Sequence, residues 1–248
     1  MLRAAGCVFA EDEAQLLIGA ASSPADLAAM VDRRASGVPL EHILGWADFC
    51  GLRILVDPDV FVPRRRTEFL VHQAVAVSRP GAVVVDLCCG SGAVGAALSA
   101  AVGRIELHAV DIDPVAARCA RRNIRGAAYV GDLYEPLPAT LRGRVDVLVA
   151  NAPYVPTDEI GLMPAEARVH EPRVALDGGT DGLDVQRRVA AEAPRWLAPG
   201  GHLLVETSER QAPRTVKAFA RLGLTARVAT SDELNATVVI GSVLHTSD

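Results

Sequence analysis

Three glycines in the sequence have the spacing of a nucleotide-binding loop: Gly90, Gly92 and Gly95. They lie between the apolar run 82–87, typical of a buried strand, and an alanine-rich segment of helical composition, which is the context this motif requires. Glycine permits sharp turns and lets a ligand approach the main chain. The start of the helix behind it offers unpaired N–H groups to a polar ligand. The pattern therefore predicts a ligand-binding turn, with a simple packing turn as the alternative.

Two aspartates near this loop indicate which ligand it binds. Asp111 ends the second predicted strand, 21 positions after Gly90 (111 − 90), where an acid can bind both ribose hydroxyls of NAD or of S-adenosylmethionine. Asp86 precedes the loop, where its carboxylate would repel a pyrophosphate but attract the ammonium group of S-adenosylmethionine. These residues favour S-adenosylmethionine, although Asp86 could instead only cap the loop backbone.

A third aspartate follows the third predicted strand. Asp132 could accept a hydrogen bond from the adenine amino group, and Leu133 could lie against the adenine ring. A solvated turn is the alternative.

The residues Asn151, Ala152, Pro153 and Tyr154 close the fourth predicted strand, at the edge where open α/β sheets bind ligands. Pro153 biases Ala152 towards an extended backbone, which can aim the Ala152 carbonyl into a cleft. With the Asn151 side-chain oxygen it forms a pair of acceptors suited to the two hydrogens of a planar NH₂ group. Tyr154 offers that group an aromatic face. An isolated tetrapeptide of this kind is an ordinary turn, but its place after strand four predicts a substrate site.

The elements that must position these residues follow a regular rhythm from residue 82 onwards. Apolar strands alternate with helical segments, which predicts a Rossmann-like α/β fold with a parallel sheet covered on both faces. The segments 225–231 and 236–244 resemble a terminal antiparallel pair. Residues 155–182 are expected to form a long loop.

Three parts are expected along the chain. Residues 1–45 read as a short helical region, in which Ser23, Pro24 and Asp26 predict a helix start. Residues 46–80 form a connecting hairpin and helix, and residues 81–248 form the cofactor-binding domain.

Composition excludes several classes of protein. The 248 residues are 50% hydrophobic and 22% charged, which argues against disorder. No apolar run is long enough to span a bilayer and no signal peptide is recognisable, so a cytoplasmic protein without membrane contact is expected. The net charge of −5, with no basic segment, argues against a nucleic-acid partner. Five scattered cysteines without a C-x-x-C pair argue against a metal site or disulfide.

These motifs together resemble the HemK-type protein-(glutamine-N5) methyltransferases, a family within the class I S-adenosylmethionine-dependent methyltransferases. The resemblance runs from about Glu41 to the C-terminus. It is carried by EHILGWADFCGLRILVDPDVFVPRRRTEFLV, DLCCGSGAVG, AVDIDP, GDLY, NAPY, HEPRVALDGGTDGLD and APGGHLLVE.

The resemblance implies a seven-stranded, mostly parallel sheet with helices on both faces, and a transfer of methyl from S-adenosylmethionine to a protein glutamine amide. The family acts on the Gly-Gly-Gln motif of class-1 peptide-chain release factors and on some other protein glutamines. The residues that would line the cofactor site are Cys88, Cys89, Gly90, Ser91, Gly92, Asp111, Leu133 and Asn151. The residues that would hold the glutamine amide are Asn151, Ala152, Pro153 and Tyr154.

Two departures from the family pattern stand out. Ala152 replaces the first proline of N-P-P-Y, which costs about 0.4–1 kcal/mol of backbone ordering. In Pro63–Glu68, Arg66 replaces an acidic residue of P-R-P-E-T-E, and we read the resulting basic triplet as a solvated turn or a contact for an acidic partner. In the loop expected to cover the site, Glu171 could meet substrate backbone or brace the loop, together with His170 and Arg173.

Three other functions remain open at this point, one of which is a dehydrogenase that binds NAD. The N-x-P-Y motif suits any planar NH₂ group, so the group that receives the methyl could be an exocyclic amine of a nucleic-acid base. Alternatively, the chain could be an S-adenosylmethionine-binding relative that has lost catalysis and acts through protein contacts.

Overall fold

The N-terminal part of the chain is helical. The computed structural model describes residues 1–244, so the last four residues of the expected segment 81–248 lie outside the described residues. The first three α-helices are α1 (Ala10–Ala20), α2 (Pro24–Ala35) and α3 (Leu40–Leu44).

The start of α2 follows the predicted capping chemistry. The Ser23 hydroxyl accepts a hydrogen bond from the Asp26 N–H at 3.1 Å, and Pro24 occupies the first helical position. The buried faces of the three helices form a small apolar cluster around Leu17, Met30 and Ile43. The predicted division of the chain, with residues 1–45 as a separate helical region, stays a prediction.

A hairpin and a helix connect this region to the sheet. The hairpin consists of β1 (Trp46–Phe49) and β2 (Leu52–Leu55), paired antiparallel, and the helix is α4 (Glu68–Val77). Phe49 and Leu70 are buried in the same apolar cluster as the central strands. The segment 56–67 between hairpin and helix therefore runs along the edge of the sheet that carries the site residues.

One seven-stranded sheet forms the centre of the described chain, and its order is β5-β4-β3-β6-β7-β9-β8. The strands are β3 (Val83–Leu87), β4 (Glu106–Asp111), β5 (Ala127–Val130), β6 (Val145–Ala150), β7 (Leu197–Thr207), β8 (Thr225–Ser231) and β9 (Ala236–Ser242). The first five are parallel, whereas β9 is antiparallel to both β7 and β8. The expected parallel sheet with a terminal antiparallel pair is confirmed.

Helices cover both faces of the sheet. Together with α4 they are α5 (Ala93–Val102), α6 (Pro114–Asn123), α8 (Asp184–Trp196) and α9 (Ala212–Arg221), while α7 (Ala165–His170) is a short helix between β6 and α8. Neighbouring strand residues point to opposite faces, so Val85 packs in one apolar cluster with α8 and α9 while Val84 packs in the other with α4 and α5. Burial on both faces explains why these strands are apolar throughout. The Rossmann-like fold class predicted from sequence is confirmed.

Two elements differ from expectation. Residues 155–182 contain the short helix α7 and several single turns rather than an unbroken loop. The strand expected to begin at His202 begins five residues earlier, because Leu197 pairs with Val145 before the register shifts. Within the described residues, no helix is long and apolar enough to cross a membrane.

Candidate active site

A cavity of about 540 Å³ opens at the carboxyl ends of β3, β4 and β6. The order of the sheet explains its position, because chain connections leave in opposite directions from β3 and open a crevice there. The predicted site residues that line it are Asp86, Cys88, Cys89, Gly90, Ser91, Asp111, Asp132, Leu133, Asn151, Ala152, Pro153 and Tyr154. We call residues 86–92, 111 and 132–133 the cofactor end, and residues 66–67, 151–154 and 206 the substrate end.

Asp86 is buried at the end of β3, and its Oδ2 accepts a hydrogen bond from the Gly95 N–H at 3.0 Å. This contact caps the start of α5, as the alternative interpretation expected. Burial, aided by the charge of Asp111, raises the pKa of Asp86 to about 7. A cation bound in the cavity would stabilise the ionised carboxylate. The residue therefore caps the loop and also lines the cavity.

Asp111 ties the glycine loop to the end of β4. Its Oδ2 accepts the Gly90 N–H at 2.8 Å and its Oδ1 accepts the Asp113 N–H at 2.9 Å. Burial raises the pKa of Asp111 above its ordinary value. Because each carboxylate oxygen can accept a second hydrogen bond, the side chain can still receive ribose hydroxyls.

Gly92 is the predicted cofactor residue that is not part of the cavity wall. Its φ is +78°, and a Cβ built on it would lie 2.9 Å from Ile124 and 3.1 Å from Ala120. A larger residue would therefore push the loop away from α6. The structure gives Gly92 a role in packing the loop, and its predicted contact with the ligand stays a prediction.

The adjacent thiols of this loop are poor nucleophiles. Burial raises the pKa of both Cys88 and Cys89. Cys89 packs among the apolar residues beneath the loop, while Cys88 is half-buried against the other cluster. The five cysteines are free thiols, and the described residues contain no cluster of His, Cys, Asp or Glu able to hold a metal ion.

Asp132 has a partner that the sequence analysis missed. Its Oδ2 lies 2.6 Å from Nη2 of Arg188, a residue of α8 that also lines the cavity. One carboxylate oxygen is thus engaged in an exposed ion pair, and the other is left for a ligand. Leu133 follows with a φ of +50° and is buried beside Tyr134.

Asn151 lies directly after β6, and its amide is oriented by a residue from another part of the chain. Its Nδ2 donates to Thr67 Oγ1 at 3.4 Å, and its Oδ1 has no hydrogen-bond partner in residues 1–244. Thr67 is buried at the start of α4. The oxygen is therefore left to accept a hydrogen bond from a donor, and its predicted role in holding an NH₂ group stays a prediction.

The Tyr154 hydroxyl donates to Oε1 of Glu206 at 3.1 Å, and the Arg66 guanidinium carbon lies 5.7 Å from the centre of the Tyr154 ring. Burial and the carboxylate raise the pKa of Tyr154 well above its ordinary value. Arg66 Nε lies 3.4 Å from the same Glu206 oxygen. Arg66 is half-exposed in the turn Arg65–Thr67 and pairs with a buried acid, and a contact of the basic triplet with an acidic partner stays a prediction.

The glycine-rich loop 178–182 and Gln211 contact the backbone at the end of the tetrapeptide 151–154. Gln211 Nε2 donates to the Tyr154 carbonyl at 2.9 Å, and the Gly178 N–H donates to the Val155 carbonyl at 2.9 Å. Gly182 has a φ of +75°, and a Cβ there would lie 2.3 Å from the Tyr154 carbonyl oxygen. The matching stretch HEPRVALDGGTDGLD thus supports the backbone of residues 151–155.

Glu171 braces the segment 163–177, which we call the cover and whose two ends line the cavity. Both of its oxygens lie 2.6 Å from Nη2 of Arg64, and Oε1 also accepts the Val62 N–H at 3.1 Å. Its side chain is fully buried, which favours the internal brace over contact with substrate. Arg173 lines the cavity and pairs with Asp177 at 3.1 Å, while His170 ends α7. Arg34 of α2 reaches Glu166 of α7 at 3.2 Å, so the cover also contacts the N-terminal helices.

Comparison with known proteins agrees with this geometry. The family model described as the methyltransferase small domain matches residues 52–181. A methyltransferase from Pyrococcus furiosus has the same fold, with a TM-score of 0.59 at 17% identity, over 78% of this chain and 90% of that one. The fold and the cavity thus define an S-adenosylmethionine-dependent methyltransferase.

Two relatives narrow the class. The release factor glutamine methyltransferase of Geobacter sulfurreducens is 40% identical over 209 residues, covering 81% of this chain and 72% of the relative. That of Mycolicibacterium smegmatis is 40% identical over 220 residues, covering 86% and 78%. The chain belongs to the release factor glutamine methyltransferase family, and it is an S-adenosylmethionine-dependent protein-(glutamine-N5) methyltransferase.

Proposed function

We propose that this enzyme methylates the side-chain amide nitrogen of a glutamine in a class-1 peptide-chain release factor. The relatives that are 40% identical to it over the aligned residues are named for that substrate. The observation that carries the assignment to an amide is the Asn151 side chain: the residue lines the cavity, and the bond from its Nδ2 to Thr67 leaves its Oδ1 to accept an N–H. The cytoplasmic location expected from the sequence stays a prediction.

The cofactor end fits S-adenosylmethionine. Asp86 and Asp111 present carboxylates to the cavity, which suits a cationic ligand with ribose hydroxyls and disfavours a pyrophosphate. Asp111, Asp132 and Leu133 would hold the nucleoside, and Asp86 would face the ammonium group. When bound, S-adenosylmethionine supplies a methyl group made electrophilic by its attachment to a sulfonium.

The substrate end must overcome the low nucleophilicity of an amide nitrogen, whose lone pair is delocalised into the carbonyl. Asn151 Oδ1 and the Ala152 carbonyl would accept the two amide hydrogens and turn the nitrogen towards the methyl group. Positioning of this kind can lower a barrier by roughly 7–11 kcal/mol. The same acceptors stabilise the positive charge that grows on nitrogen during transfer, as oxyanion-hole donors stabilise negative charge.

Proton transfer does not require a dedicated base in this site. The nitrogen that gains the methyl group becomes more acidic and loses one proton to solvent. The buried carboxyls of Asp86 and Glu206 accept hydrogen bonds from the Gly95 N–H and the Tyr154 hydroxyl, respectively. Catalysis therefore rests on orientation and on exclusion of water.

The assignment is tested by incubating the purified enzyme with methyl-labelled S-adenosylmethionine and a purified class-1 release factor. We expect label on the glutamine of the Gly-Gly-Gln motif, located by mass spectrometry of the tryptic peptide. A release factor in which that glutamine is replaced by glutamate serves as the matched control and should remain unlabelled.

The same assay with native cell extract distinguishes the alternatives. Label in RNA or DNA would overturn the protein substrate and favour an exocyclic amine. Calorimetric binding of S-adenosylmethionine with no label in any protein would favour a relative that has lost catalysis.

A further inference from the structure

Glu206 is a buried carboxylate that follows the apolar residues 203–205 of β7. Its side chain is 2% exposed, and it lies one residue before the end of the strand. Oε1 accepts the Tyr154 hydroxyl at 3.1 Å, but Oε2 is buried with no hydrogen-bond partner among residues 1–244. A buried carboxylate with an unpaired oxygen is costly to the fold, so a reason other than stability is expected for its presence.

The backbone of Glu206 is held by the sheet and by a side chain. It is paired with Val238 of β9, and its carbonyl accepts Gln186 Nε2 at 3.1 Å. Tyr154, in contrast, lies outside the strands, in the irregular segment that follows β6. Groups on strands are placed more precisely than groups on loops, so the hydrogen bond between the two residues extends the order of the sheet to Tyr154.

Tyr154 is anchored at both of its ends. Its carbonyl accepts Gln211 Nε2 at 2.9 Å, and its hydroxyl donates to Glu206. The residue lines the same cavity as Asn151. The two anchors fix the direction of the ring as well as the place of the residue, so the ring keeps one orientation relative to a group bound in the cavity.

Ala152 makes the side-chain anchor more important in this chain. The family pattern has a proline at this position, and the ring of a proline fixes the φ angle of the backbone. With alanine, the backbone of the tetrapeptide 151–154 has more conformations available. The hydrogen bond from Tyr154 to Glu206 therefore restrains a segment that a second proline would otherwise restrain.

Arg66 makes the buried charge tolerable. Its Nε lies 3.4 Å from Glu206 Oε1, and its guanidinium carbon lies 5.7 Å from the centre of the Tyr154 ring. The Arg66 side chain is 47% exposed, so it can offset the charge of Glu206 while it remains hydrated. The three side chains thus form one cluster at the substrate end, with the carboxylate at its centre.

We propose that Glu206 is a positioning residue, which holds the Tyr154 ring in the orientation that the substrate amide requires. The inference rests on the proposed methylation of a glutamine amide and adds a residue of β7 to that site. It accounts for a carboxylate at a buried position where an apolar side chain would suit the fold better.

Tyr154→Phe tests the hydrogen bond with the least change to the cavity. The ring stays but loses its anchor, so kcat should fall about tenfold, less than the roughly 100-fold cost of a reacting group misplaced by 1 Å. The KM for the release factor and the affinity for S-adenosylmethionine, measured by calorimetry, should change little, because the ring that contacts the ligand is still present.

A matched pair of variants at Glu206 tests the acceptor. Glu206→Leu removes it, whereas Glu206→Gln keeps an acceptor oxygen without the charge. We expect Glu206→Leu to lower kcat to the level of Tyr154→Phe, and Glu206→Gln to retain most of the wild-type kcat. The double variant Tyr154→Phe, Glu206→Leu should be no slower than either single variant, because both substitutions remove the same hydrogen bond.

Stability distinguishes a positioning role from a structural one. The double variant replaces a hydrogen-bonded pair by two apolar side chains and leaves Arg66 free to turn to solvent. Its free energy of unfolding, measured by urea denaturation, should therefore be unchanged or raised while its kcat is low. If Glu206 served the fold alone, stability and kcat would fall together.

Four results would overturn this inference while the wild type still methylates glutamine: full kcat in Tyr154→Phe, a Glu206→Gln variant as slow as Glu206→Leu, additive losses of kcat in the double variant, or a double variant less stable than the wild type. A wild type that transfers no methyl group to glutamine would overturn the proposed function, and this inference with it.

Discussion

The two ends of the cavity are held by different kinds of contact. At the cofactor end, Asp86 and Asp111 accept backbone N–H groups from Gly95, Gly90 and Asp113, all within the first two strand–helix units. The exposed pair of Asp132 and Arg188 is the exception there, because it joins remote side chains. At the substrate end, the contacts join side chains from remote parts of the chain. These contacts join Asn151 with Thr67, Tyr154 with Glu206, Arg66 with Glu206, and Gln211 with the Tyr154 carbonyl.

This difference separates two tasks. Backbone donors are present whatever the side chains are, so a general nucleoside-binding shape needs only glycine spacing and a few acids. The substrate end instead depends on particular side-chain pairs, and a single substitution can remove one of them. We therefore expect variants of the substrate end to change turnover and variants of the cofactor end to change affinity for S-adenosylmethionine.

The largest effect is expected at Asn151. Asn151→Ala removes one of the two amide acceptors and should abolish measurable methyl transfer, a loss of about 1000-fold or more on the scale of a lost oxyanion-hole donor. Binding of S-adenosylmethionine, measured by calorimetry, should stay within several-fold of the wild type. Full activity in a radiolabelled transfer assay would refute the role of Asn151, and loss of cofactor binding would erase the contrast between the two ends.

The next largest effect is expected on the stability of the fold, when the ion pair that braces the cover is removed. Arg64→Ala leaves the fully buried Glu171 without its cation and should lower the free energy of unfolding by about 2–3 kcal/mol, at the low end for a buried pair because Arg64 is partly exposed. Urea denaturation at pH 7 measures this change. The exposed neighbour Arg65→Ala is the matched control and should change little.

The Arg64→Ala effect also has a pH dependence of known sign. Burial raises the pKa of Glu171, so in the variant the buried carboxyl is tolerated when protonated and unfavourable when ionised. The difference in stability between wild type and variant should therefore shrink as the pH falls. A difference that is constant with pH would show that lost packing, and not the unpaired charge, destabilises the variant.

At the cofactor end, affinity should depend on pH through Asp86. With a pKa of about 7 in the free enzyme, Asp86 must ionise to face a cationic ligand, so S-adenosylmethionine should bind about tenfold more weakly at pH 6 than at pH 8. Calorimetry in two buffers of different ionisation enthalpy should detect the released proton. In Asp86→Asn the affinity for S-adenosylmethionine should no longer depend on pH over this range. An unchanged pH dependence in that variant would show that another group titrates.

The raised pKa of Asp86 has the opposite consequence for folding in the absence of ligand: stability should fall, and not rise, with increasing pH. A carboxyl whose folded pKa lies above its unfolded value stabilises the fold at low pH, and the contribution is lost as the pH rises through about 7. Stability of the free enzyme should fall slightly across this range in the wild type but not in Asp86→Asn.

The smallest effect is expected at the exposed pair of Asp132 and Arg188. Exposed ion pairs contribute at most about 1 kcal/mol, so Arg188→Ala should change the affinity for S-adenosylmethionine no more than about fivefold. Asp132→Ala removes the pair together with the acceptor expected for adenine, and it should have the larger effect of the two. Equal effects in calorimetry would leave the adenine contact unsupported.

The features that can be predicted from the sequence are those that a local pattern of residues determines. The strands, the glycine loop and the 21-residue interval from Gly90 to Asp111 each follow from periodicity or from one strand–helix unit, and the structure joins Gly90 and Asp111 by a hydrogen bond. Thr67, Glu206 and Arg188 were missed, because their partners lie in segments whose proximity is set only by the order of the strands. One signal was available: Glu206 is an acid near the carboxyl end of an apolar strand.

The short helix α7 was missed for a local reason. Its six residues follow a proline and lack a buried apolar stripe, since only Ala167 is buried. So brief a helix has little propensity of its own and depends on contacts such as those of Glu166 and Glu171 with distant arginines.

Adjacent strands set the distance between the two reacting groups. Leu87, which leads into the cofactor loop, is paired in the parallel ladder with Ala150, which leads into Asn151. Neighbouring strands are separated by about 4.8 Å in any sheet. The separation of methyl donor and acceptor is thus inherited from main-chain geometry, so helices and outer loops can diverge widely among enzymes of this design without moving the two substrates apart.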